Sequence, residues 1–125
     1  MFKRDTSKEL EKIRRELYIA RAKLEMSRRM RSESDYKRVT ASIVYTGTIF
    51  ATPMFMSTLY YNSAIRDVKK ILKKLNKVLK RVEEKEKREA IKSVIHMLQE
   101  VHELQSTQAI LRMREAENLL STIST

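Results

Sequence analysis

Gly47 and Pro53 are the only glycine and the only proline among 125 residues, and after Pro53 the chain runs 72 residues without either. Tight turns draw on glycine for positive φ and on proline for a preset φ, and strands need such turns between them. A sheet protein is therefore hard to build from this chain. Leu, Ile, Lys, Arg, Glu, Met and Ala dominate, and all but Ile are good helix formers. Apolar residues recur at helical spacing through most of the length, which argues against disorder. The expected fold is all-α: a helical hairpin or extended helices with a kinked apolar central segment, assembling with other copies. The length fits a single domain.

Charge divides the chain into blocks. Residues 1–38 hold 13 Lys or Arg against 7 acids, and residues 66–81 hold 8 against 1. Between them, residues 39–65 form a run of 27 without Asp, Glu, Lys or Arg. Residues 82–125 carry a net charge of −2, and the whole chain +11. A basic excess of this kind suits a polyanionic partner, either nucleic acid or an anionic membrane surface. The organisation expected from the blocks is a basic arm (1–38), an uncharged core segment (39–65), a basic amphipathic helix (66–88) and a C-terminal helix (89–125). The uncharged run is long enough to span a bilayer. Its many Ser and Thr, its Gly47 and Pro53, and basic residues on both flanks fit better with burial between protein surfaces. The N-terminus has no apolar stretch after its basic start, so no secretory signal is read there.

Local signals place the helices. Thr6-Ser7-Lys8-Glu9 reads as a capping box opening a first helix. Leu10, Ile13, Leu17, Ala20 and Leu24 then follow a 3–4 spacing. Ser32-Glu33-Ser34-Asp35 reads as a stop near Arg31 and a restart near Asp35. A kink or turn, with a short extended piece possible, is expected between Gly47 and Pro53. From Val68 the stripe continues through Ile71, Leu72, Leu75, Val78, Leu79 and Val82, with lysines on the other face. The charged stretch 83–89 is the expected reversal. A last helix is expected from Ala90 to about Leu120, with a frayed end of Ser and Thr.

Catalytic and metal chemistry find little support. With no cysteine there is no disulfide and no thiolate site. His96, Glu100 and Glu103 share one helical face and could hold a metal, but solvated i,i+4 pairing is by far the commoner role of such a trio. No Gly-rich phosphate loop, nucleophile elbow or paired-carboxylate floor is visible, and a helical chain with few loops has little from which to wall a cleft. The expectation is a protein that is not an enzyme, with no cofactor and no metal.

The basic residues are the candidate site. Arg14, Arg15, Arg21, Arg28, Arg29 and Arg31 supply planar groups that pair with phosphate in a two-pronged manner. Lys69, Lys70, Lys73, Lys74, Lys77, Lys80 and Arg81 place point charges along one rod. Both sets suit a phosphate backbone without base reading. Tyr18 and Tyr36 lie among arginines and could stack on bases, though packing is the commoner role of such tyrosines.

With its basic flanks (3–38 and 66–81) and charge-free centre (39–65), the chain resembles the coat proteins of filamentous and rod-shaped archaeal DNA viruses. The resemblance implies helices wrapped on double-stranded DNA in a virion, and assembly with copies of itself or with a second, related coat protein. The chain is also similar to the helical-hairpin membrane-remodelling proteins of the archaeal and eukaryotic fission machinery, in which basic helices precede an acidic C-terminal half. Two functions are therefore expected in order: a nucleic-acid-packaging subunit, or a membrane-associated or membrane-spanning helical protein with residues 39–65 in lipid.

Overall fold

The structure, a computed structural model, describes the backbone of residues 2–44 and 53–124 and the side chains of 6–30 and 55–124. The described residues form α1 (Phe2–Val44), α2 (Pro53–Arg81), α3 (Lys85–Gln99) and α4 (Ser106–Ser124), with a 3₁₀ turn at Val101–Glu103 before α4. The described residues form no strand. The fold is all-α.

α1 packs against α2 and α4, and α3 closes the ring by packing against the same two helices. Cross-helix pairs set the directions. Glu9 meets Arg81, Glu16 meets Lys74 and Lys23 meets Asp67, so α1 and α2 are antiparallel. Ser124 meets Glu11 and Glu117 meets Arg21, so α4 is antiparallel to α1 as well. The result is an up-down-up-down four-helix bundle.

The two long helices keep a seven-residue seam. On α1 the buried positions are Thr6, Leu10, Ile13, Leu17, Ala20, Leu24 and Ser27. On α2 they are Ser57, Ala64, Val68, Ile71, Leu75 and Val78, continued by Val82 just past its end, with Tyr61 half-buried at the missing step. Alternating steps of three and four are the spacing of a left-handed bundle seam. α3 adds Ile91, Val94, Ile95 and Leu98, and α4 adds Ala109, Ile110, Met113, Ala116 and Leu120. At about 1.5 Å per residue α1 is roughly 64 Å long and α3 roughly 22 Å. The α1–α2 hairpin therefore continues past the four-helix section. Near that limit Ser27 and Ser57 lock reciprocally: each hydroxyl donates to the other's backbone carbonyl at 2.8 Å.

Several local expectations are revised. α1 begins before the capping box, at Phe2, and Thr6 is a buried seam residue. The stop and restart at residues 31–35 do not interrupt α1. Capping residues contribute only about 1 kcal/mol and act where the chain already leaves the helix, and α1 holds no Gly or Pro. The kink expected between Gly47 and Pro53 lies outside the described residues, except that Pro53 opens α2, where a missing amide hydrogen costs nothing. The reversal in 83–89 is confined to residues 82–84. Arg88 stabilises it by donating at 2.8 Å to the carbonyls of Leu79 and Val82 at the end of α2. The expected single helix from Ala90 to Leu120 is two helices, α3 and α4, separated at residues 100–105. The end read as frayed is helical to Ser124.

Candidate polyanion-binding face

The basic residues proposed from sequence separate into two groups. At about 100° per residue, Arg66, Lys69, Lys70, Lys73, Lys77 and Lys80 fall within an arc of roughly 100° on α2, nearly opposite the buried seam. All six are exposed, and none makes an ion pair among the described residues. They form a row about 21 Å long at the helical rise. Lys74 and Arg81 sit on the flank toward α1, where Glu16 and Glu9 engage them. Asp67, the only acid in α2, points to that flank too and accepts from Lys23 at 2.7 Å. The row itself therefore contains no acid.

The arginines are mostly committed within the fold. Arg21 is 12% exposed and donates to Glu117, itself 8% exposed, and at 2.7 Å to Glu25. Arg114 of α4 reaches the same Glu25 oxygen at 3.3 Å. The hydrogen bond to Glu117 outweighs burial and raises the Arg21 pKa above its ordinary value. Its guanidinium also lies 5.1 Å from the centroid of the Tyr18 ring. Arg14 clasps Glu11 with two bonds, at 2.5 and 2.9 Å. This hydrogen bonding holds the Glu11 pKa at about 2 and raises that of Arg14. Arg15 is exposed, 3.5 Å from Glu11. Arg28 and Arg29 are exposed, without ion pairs among the described residues. The Arg31 side chain lies outside the described residues.

Three further cations belong to the face. Arg66 begins the α2 row, and exposed Lys8 and Lys12 share the outward stripe of α1 with Arg15 and Ile19. Their 4-3-4 spacing was the available signal. A groove of about 310 Å³ between α1 and α2 places exposed Ile19 beside Lys70, along the Glu16–Lys74 and Lys23–Asp67 pairs. The row also extends toward the start of α2 as an apolar stripe: Leu59 and Phe55, 45% and 38% exposed, precede Arg66 by seven and eleven residues on the same face.

His96 Nε2 lies 3.2 Å from Glu100 Oε1 on an exposed surface. Among the described residues no group of three or more His, Cys, Asp or Glu could hold a metal ion. Also among them, no helix is long and apolar enough to cross a membrane. Comparison of the chain with protein-family models, curated proteins and solved structures returned no match.

Proposed function

We propose that this is a structural protein that lays the outer face of its α1–α2 hairpin on an anionic phospholipid surface. The observation that carries this reading is the α2 stripe, which runs from Phe55 and Leu59 into Arg66, Lys70, Lys73 and Lys77 without an acid. A nucleic-acid backbone answers the cations and offers nothing to the exposed apolar side chains at the end of the row. A bilayer surface supplies phosphate and hydrocarbon within a few ångströms. The order of a basic hairpin before a slightly acidic C-terminal part, shared with the membrane-remodelling proteins named above, supports the same reading.

A second reading, the coat or nucleocapsid subunit of a filamentous or rod-shaped DNA virus, is favoured by the dimensions of the row. Six cations over about 21 Å match about six phosphates of one strand at roughly 3.4 Å each. In that reading copies join through residues 39–65, with themselves or with a related coat chain. The lysines, rather than Arg14 and Arg21, then meet the double-stranded DNA.

Vesicle flotation with competing duplex DNA separates the two. The lipid reading expects the protein to float with anionic vesicles, to stay in solution with zwitterionic ones, and to be only partly displaced by duplex. Complete displacement by duplex, with affinity falling as roughly the fifth power of salt for about six neutralised phosphates, would replace it with the packaging reading.

A further inference from the structure

The basic row explains attraction to a surface but not why its line ends in two large apolar side chains. Leu59 and Phe55 follow the row's own steps of three, four and seven residues, so they face wherever the lysines face. Lysine side chains reach several ångströms beyond the helix and hold their charge at the headgroup level. With the lysine stems bent back so that their charges stay at the phosphates, a helix lying at that level brings Leu59 and Phe55 to the depth where acyl chains begin. No acid on the stripe opposes this approach, since Asp67 is turned toward α1 and bonded to Lys23.

Resting on the lipid reading above, we propose that the N-terminal end of α2 is an insertion wedge: Phe55 and Leu59 enter the acyl region of an anionic bilayer while the lysine row stays at its phosphates. Two side chains offer little apolar area, so the wedge fills gaps between headgroups rather than anchoring the protein by itself. Binding then depends jointly on anionic charge and on packing defects, and small, highly curved vesicles are preferred over large ones of the same composition.

The chain has no tryptophan, so a substituted one reports alone. Leu59→Trp places the probe in the wedge, and Leu111→Trp places it at an exposed position of α4. With anionic vesicles, the Leu59→Trp emission should shift to the blue and be quenched by lipids brominated in their acyl chains, while the Leu111→Trp emission stays that of a solvated indole. Leu59→Ser should keep salt-sensitive binding to anionic vesicles but lose the several-fold preference for small ones. If the protein floats with anionic vesicles and the Leu59→Trp probe is unquenched, the wedge is wrong and the surface reading stands. If neither probe variant nor the unaltered chain floats, the surface reading fails and the wedge with it. A blue shift that appears without lipid and grows with protein concentration would assign the stripe to a second copy of the chain and overturn the wedge. Circular dichroism of each variant confirms that helicity is retained.

Discussion

Arg21 and Lys73 carry the same formal charge and do different work. Arg21 is inside the α1–α4 contact, satisfied by Glu117 and Glu25, whereas Lys73 is exposed and makes no ion pair among the described residues. Breaking a buried pair leaves the surviving charge uncompensated, so Glu117→Ala should cost about 3 kcal/mol of stability, read by urea denaturation. A loss below about 1 kcal/mol would mean that Glu25 alone satisfies Arg21. Glu11 gives a pH signature. Its folded-state pKa of about 2 lies below its ordinary value of 4.5, so the Arg14 contact stabilises the fold above pH 4.5. That contribution is lost as the pH falls toward 2. Glu11→Gln should therefore flatten the acid limb of stability between those values, and an unchanged limb would contradict the assignment. The sequence made the sign of each charge legible but not its partner. Arg21 and Glu117 are 96 positions apart, and only tertiary packing removes Arg21 from the set able to meet a phosphate.

Among the elements, the seams of α1 and α2 were the most legible, because they repeat with steps of three and four, whereas the ends of α1 were not, since local capping signals at 6–9 and 31–35 lie within a continuous helix. The division of α3 from α4 was silent. Taken as one helix, Ile91 and Leu98 before the break and Met113 and Leu120 after it keep a common apolar stripe to within about 60°. Periodicity therefore registers no change, and no Gly or Pro marks the turn. Length was the remaining clue: an unbroken helix from Lys85 to Ser124 would outrun α2 by 11 residues. The serine pair on the long helices makes a separate prediction. Ser27→Ala removes one of two reciprocal hydrogen bonds and should cost about 1 kcal/mol. Ser27→Leu should cost more, about 1–3 kcal/mol beyond that, because the two backbones approach closely enough to exchange side-chain-to-carbonyl bonds and leave no room for three added carbons. Equal stability of the two variants in thermal melts would show that the crossing is looser than the distances imply.

At the scale of the whole molecule, the chain closes a four-helix core and presents an unneutralised row of cations on one outer face. Net charge alone would attract a polyanion to any side of a protein carrying +11. On the proposed surface reading the α2 row, rather than net charge, makes the contact. Two triple variants with the same change in net charge distinguish these ideas. Lys70→Gln, Lys73→Gln and Lys77→Gln together remove the middle of the row, while Lys85→Gln, Lys92→Gln and Arg112→Gln remove exposed cations of α3 and α4. Each basic residue held near an anionic surface contributes about 1 kcal/mol, so the first triple should weaken binding to anionic vesicles on the order of 100-fold. The second should weaken it by a few-fold at most, and helicity should be unchanged in both. Equal losses in the two triples would contradict the account, leaving net charge rather than the α2 face as the cause of binding.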